Sequence, residues 1–140
     1  MPLCRGFSLL ELVVVLCIVG ILLGVALPTY QSSVIKSRRV DAMAALVEVA
    51  GRQEQWRFVS DRYSDDLREL GYEADPLVTP EGHYSISVGA CPDATLALCF
   101  ALTATPLPTS PQAADERCGA LTLDARGRRS ATGTIPGSCW

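Results

Sequence analysis

The sequence predicts an α+β protein, with one long N-terminal helix packed on a small antiparallel sheet of three to four strands. The first half of the helix is expected to span a membrane. Three observations lead there. The 30 residues from Gly6 to Ile35 carry a single formal charge, Glu11. Gln31 to Ser60 contains no proline and repeats apolar residues at helical spacing. The remainder holds short segments that alternate polar and apolar residues between turns marked by proline and glycine.

Composition narrows the class. The chain has 140 residues, 49% apolar and 19% charged, with a mean hydropathy of +0.24. Apart from Arg5 and Glu11, all charges lie from Lys36 onward, as 11 basic and 14 acidic residues, net −3. Such a chain is not disordered, not a coiled coil, not polytopic and not broadly basic. One membrane segment carrying one small domain remains.

The apolar run from Phe7 to Leu27 has 21 residues, a helix of roughly 31 Å at 1.5 Å per residue. That matches a hydrocarbon core roughly 30 Å thick. It is longer than the apolar region of a secretory signal, and no small-x-small cleavage site follows it. Cys4 precedes the run, so it is not a lipoprotein cysteine. A carboxylate at mid-helix depth costs about 2.5–3.5 kcal/mol on insertion scales, so Glu11 is a functional candidate that needs a cationic partner. The alternative is an interfacial carboxylate that snorkels to the headgroups. Gly20 and Gly24 have GxxxG spacing, a weak packing signal. With Pro28 they make residues 20–28 the weakest part of the helix. Cys17 reads as a small apolar filler.

Gly6-Phe7-Ser8-Leu9-Leu10-Glu11 resembles the class III signal of type IV pilins and type II secretion pseudopilins. The resemblance implies a leader, residues 1–6, that a prepilin peptidase removes by cutting between Gly6 and Phe7. It implies N-methylation of Phe7 and places Glu11 at the family's acidic assembly position. It also puts Pro28 where many pilins carry a helix-kinking proline. The chemistry agrees. A free amine on Phe7 has a reference pKa near 7.7–8.0 and is largely cationic at neutral pH, and a buried carboxylate needs such a partner. Within one chain Phe7 and Glu11 are one turn apart; between chains, neutralisation is coupled to assembly, as the resemblance implies. The organisation expected is leader 1–6, transmembrane helix 7–28 and head domain 29–140, which includes the second half of the helix.

That second half has two apolar sides. Val40, Met43, Ala44, Val47, Gly51 and Phe58 form one; Ala42, Ala45, Leu46, Val49 and Trp56 form a broader one. One can serve the chain's own domain and the other its neighbours. Residues 61–81 carry seven acids against two arginines, a solvated stretch without EF-hand spacing. A short helix is expected from Ser64-Asp65-Asp66-Leu67 through Leu70, stopped by Gly71. Asp75-Pro76 and Thr79-Pro80 mark loops. Strands are expected at 83–88, over Leu96, Leu98, Phe100 and Leu102, at 118–124, and at 128–132 after the turn Asp124-Ala125-Arg126-Gly127.

Cys91, Cys99, Cys118 and Cys139 allow three pairings. A short hairpin favours Cys91–Cys99, which leaves Cys118 to Cys139. A loop of the latter length restricts the unfolded chain by about 3 kcal/mol in the chain-entropy model, and it resembles the disulfide-bounded D-region of type IV pilins. Zinc is disfavoured: there is no CxxC, and His83 is the only histidine. The run from Arg117 to Asp124, then Gly127, Arg129, Thr132-Gly133 and Cys139-Trp140, resembles the C-terminus of PilE-type minor pilins, a broad group that includes the DNA-receiving ComP.

No Walker A, GxGxxG, GxSxG or HExxH motif occurs. The expectation is a non-enzymatic minor pilus subunit with no cofactor and no metal. It would reside in the inner membrane with its C-terminal domain in the periplasm, then in the pilus at the cell surface. Its partners would be other pilins and the prepilin peptidase. Two rivals stand. One is DNA binding through Arg126, Arg128 and Arg129, against which the net acidic charge and the scarcity of aromatics weigh. The other is a secretion pseudopilin, against which two external disulfides and the Cys-Trp end weigh.

Overall fold

The computed structural model describes residues 8–140; the leader, Cys4 and the Gly6–Phe7 junction lie outside the described residues. The chain forms two compact units, Met1–Val34 and Ile35–Trp140, and helix α1, Leu9–Ser60, contributes to both.

In the first unit every residue from Ser8 to Ser33 is exposed, the state of an apolar surface that water does not suit. The helix continues through Gly20, Gly24 and Pro28. Proline brings no amide donor. Around it, hydroxyls add donors to the backbone: Thr29 Oγ1 donates to the Val25 carbonyl at 3.2 Å, and Ser32 and Ser33 donate to that of Thr29.

In the second unit α1 buries Arg39, Ala42, Leu46, Val49 and Gln53, a stripe at intervals of three and four residues. Leu46 packs in one core with Leu67, Tyr84, Ile86, Phe100, Leu102 and Leu121. Burying each such side chain fully contributes about 1.5–3 kcal/mol. The broader apolar side is thus the core side. On the other side Met43 packs against the core, but Val40, Val47 and Phe58 face outward, Phe58 at 92% exposure.

After α1 a 3-10 turn, Leu67–Leu70, is capped by the Asp66 carboxylate, which accepts from the Arg68 amide, and stopped by Gly71 at φ 88°. This positive φ is one glycine adopts without steric cost. The strands are β1 (Leu77–Val78), β2 (Tyr84–Ala90), β3 (Phe100–Pro106), β4 (Leu121–Asp124) and β5 (Arg129–Ala131). They form one sheet in the order β1-β2-β3-β4-β5, with every neighbouring pair antiparallel.

Three expectations change. The sheet has five strands, because the two-residue β1 lies between Pro76 and Pro80, where a loop was expected; an edge strand tolerates such prolines. β3 begins at Phe100 and not at Leu96. Residues 94–99 are a turn closed by Leu98 and Cys99 amides on the Thr95 carbonyl, and Leu98 is 67% exposed. β4 begins at Leu121, because Cys118 and Gly119 belong to a crossing with Thr132 and Gly133. Disulfides join Cys91 to Cys99 and Cys118 to Cys139.

Candidate functional site

Three places carry the chemistry. The first is the start of α1. Glu11 lies in the first helical turn, where the helix dipole favours an anion. It is exposed among leucines and valines, and among the described residues no cation pairs with it. Phe7, its expected partner, lies outside them.

The second is the β4–β5 turn, where the sequence grouped three arginines. Asp124 folds that turn: its Oδ1 accepts from the Arg126 and Arg128 amides, both at 2.9 Å, and its Oδ2 from Arg128 Nε at 2.6 Å. Burial works to raise the Asp124 pKa; the Arg128 and Arg126 amides and the Arg128 guanidinium outweigh it and hold the group below the usual carboxylate range. Arg126 Nη1 meets Asp93 Oδ2 at 2.6 Å, and Arg128 Nη2 lies 3.6 Å from Asp93 Oδ1. The Arg126 hydrogen bond, foremost, holds Asp93 below its ordinary value. Arg129 alone of the three has no carboxylate among the described residues. It lies over the Trp140 ring, 5.3 Å from the centroid, while Trp140 Nε1 donates to the Ser130 carbonyl. The grouping is therefore real, but two of its three charges are engaged. Exposed pairs of this kind are weak and screened by salt.

The third is a buried polar cluster absent from the sequence reading. Arg39 Nε lies 3.0 Å from Asp115 Oδ2, off-axis for a hydrogen bond. Arg39 Nη1 donates to Cys118 Sγ at 2.7 Å. Gln112 Nε2 donates to Asp115 Oδ2 at 3.1 Å and to the Ile35 carbonyl at 3.4 Å. Tyr84, next to them in the core, is pushed up to about 12 by burial and stays neutral. The signal for Arg39 was present: the stripe Ala42, Leu46, Val49, extended one turn back, lands on it. A charge on a core stripe demands a buried partner.

Residues 28–122 match the family described as "Type IV minor pilin ComP, DNA uptake sequence receptor", and residues 1–27 match the prokaryotic N-terminal methylation motif. The chain belongs to this family of type IV pilins. The pilin is 35% identical over 68 residues to the type IV major pilin protein PilA of Myxococcus xanthus, a match over 49% of this chain and 31% of that one. It is 43% identical over 61 residues to the fimbrial protein EcpC of Eikenella corrodens, over 44% and 36% of the two chains. These matches span about a third of either curated relative. A type IV pilin structure from Shewanella oneidensis aligns over 76% of this pilin and 97% of that chain, at 26% identity and a TM-score of 0.50. The Neisseria meningitidis non-core minor pilin PilV aligns over 74% and 92%, at 20% identity and a TM-score of 0.53, a likeness of fold. The N-terminal helix of this pilin is long and apolar enough to cross a membrane.

Proposed function

We propose that this pilin is a minor subunit of a type IV pilus that takes part in filament assembly after prepilin peptidase processing. The observation that carries the reading is the family match over residues 28–122, which covers most of the head domain; the major pilin of Myxococcus xanthus matches over only half of this chain. Residues 7–28 hold the subunit in the inner membrane, with residues 29–140 in the periplasm, until a filament takes it up. The exposed apolar stretch of α1 up to Ser33 supports this, since membrane lipid first and neighbouring helices later can cover it. Quantifying subunits in sheared pili tests the assignment: a small fraction of the total pilin is expected, and a dominant band overturns it.

Processing is the precondition. Glycine at position 6 leaves the scissile bond open to the peptidase. Gly6→Val should leave the precursor uncut in the inner membrane, while the wild-type mass should correspond to a chain starting at Phe7 with one added methyl group. A Met1 start in assembled pili contradicts the proposed junction.

A second reading, DNA reception, is supported by the family's description and by Arg126, Arg128 and Arg129 on one hairpin. Each phosphate contact contributes a slope of about −0.9 in log affinity against log salt. Arg126→Ala, Arg128→Ala and Arg129→Ala together should weaken DNA binding by the detergent-solubilised full chain and flatten that slope by about 2–3. An unchanged titration removes these arginines from any DNA contact.

A further inference from the structure

Each disulfide lies near an arginine–aspartate pair, but a different member of the pair faces the sulfur. Cys118 Sγ accepts a hydrogen bond from the Arg39 guanidinium at 2.7 Å. The Cys91 and Cys99 sulfurs lie within 4.8 Å of an Asp124 carboxylate oxygen; backbone carbonyls face both bonds, Phe100 at 3.1 Å from Cys91 Sγ and Ile135 at 3.3 Å from Cys139 Sγ. Thiol exchange turns a neutral disulfide sulfur into a thiolate leaving group. A cation beside that sulfur stabilises the thiolate, and a carboxylate destabilises it. All four cysteines are buried, so access does not distinguish the two bonds.

We infer that Cys118–Cys139 is a redox-responsive bond of this pilin, opened by a dithiol that attacks Cys139, while Cys91–Cys99 persists. The attacking thiolate forms a mixed disulfide with Cys139 Sγ, and the electron pair of the broken bond passes to Cys118 Sγ, held by Arg39. The second thiol of the dithiol then attacks its own sulfur in the mixed disulfide. Cys139 leaves as a thiolate and takes a proton from water. The dithiol ends as a disulfide, and the pilin gains two electrons.

The choice of Cys139 as the point of attack follows from Cys118 being the sulfur with the cation. Residues 134–138 are exposed and joined to the Arg117–Cys118 segment by the Thr134 and Ile135 amides on the Glu116 and Arg117 carbonyls. Opening the bond leaves those hydrogen bonds and the Trp140 contacts as the restraints on this stretch. A periplasmic dithiol oxidoreductase is the fitting class of partner. Asp115 competes for Arg39, and Arg128 pairs with Asp124, so the contrast rests on the direct contact of Arg39 with Cys118 Sγ.

The test equilibrates the detergent-solubilised full chain in dithiothreitol buffers of graded redox ratio. Acid quenching, alkylation and peptide mapping then score each cysteine separately. The reduction constant of Cys118–Cys139 should exceed that of Cys91–Cys99 at least tenfold, about 30 mV for a two-electron couple. Backbone hydrogen bonds hold both loops closed in the folded domain, so loop length does not set the ratio. Arg39→Gln combined with Asp115→Asn, which removes both charges, should bring the two constants together, and Asp124→Asn should narrow the gap from the other side. Equal constants in the wild type overturn the inference, as does a tenfold gap that survives loss of the Arg39–Asp115 pair. A wild-type measurement decides even where the double variant does not fold. Glutathione, a monothiol, should leave its mixed disulfide on Cys139, and finding it on Cys118 reverses the assignment.

Discussion

Glu11→Val should leave processing and membrane insertion intact while stripping the pilin from sheared filaments by tenfold or more. In the proposed assembly the methylated amine of Phe7 on one subunit meets Glu11 of its neighbour. The substitution makes the helix more apolar, so the membrane accepts it, and the peptidase still finds Gly6. What is lost is the counter-charge. Breaking a buried ion pair by removing one partner costs about 3–5 kcal/mol, because the remaining charge stays desolvated and uncompensated. Each 1.4 kcal/mol is a factor of ten in an equilibrium constant, so even a fraction of that cost suffices. Membrane and sheared-pilus fractions from cells expressing the variant beside wild-type partner pilins are the comparison. Glu11→Gln should fail in the same way, since it keeps the shape and loses the charge. Normal incorporation of either variant favours a carboxylate that only snorkels to headgroups.

Gly133→Ala should be the most damaging single-methyl change in the head domain. A Cβ at position 133 would overlap the Arg117 carbonyl and the Cys118 amide nitrogen. These atoms are backbone, so no rotamer change relieves the overlap. Gly133 also donates its amide to the Cys118 carbonyl at 2.9 Å, which is why the two segments approach so closely. Opposite it Gly119, at φ 60°, would place a Cβ 2.6 Å from Thr132 Oγ1, the oxygen that accepts from the Ala120 amide. Relief at 133 requires parting the crossing that aligns Cys118 with Cys139. A loss of about 4 kcal/mol or more is expected, at the exceptional end for point substitutions, and Tm should fall by roughly 15 °C or more for a domain of this size. Gly137→Ala, where a Cβ meets nothing within 4 Å, should stay within about 0.5 kcal/mol of wild type. Thermal unfolding followed by circular dichroism separates them, and equal Tm values remove the crossing as the cause.

These features were legible in the sequence to different degrees, for physical reasons. The long helix, the Asp66–Gly71 turn and the strands around Tyr84–Val88 and Leu121–Asp124 follow from local rules: spacing, capping and alternation act over a few residues. The β1 edge escaped because two flanking prolines outweigh two apolar residues in any local reading. Leu96 and Leu98 alternate with their neighbours by composition alone; the turn that holds them depends on Cys91 and Cys99 meeting across the hairpin. The arginine grouping was visible, but Asp93, which engages two of its members, lies 33 positions from Arg126. Arg39 and Cys118 are 79 positions apart, and no spacing rule reaches that far. Contacts made through the tertiary fold are where charge and chemistry must be measured in place.

The stretch from Gly20 to Pro28 also has a mechanical consequence. A filament under tension passes load along its helices, and the helix yields first where its ladder of hydrogen bonds is weakest. Gly20 and Gly24 contribute poor helix formers and Pro28 a missing rung. Nine residues passing from about 1.5 Å to about 3.3 Å of rise each lengthen a subunit by roughly 16 Å. The Thr29, Ser32 and Ser33 hydroxyls hold carbonyls at the lower margin of that stretch. In the proposed filament the same nine residues would act as a spring, taking up a sudden pull before the folded head domain.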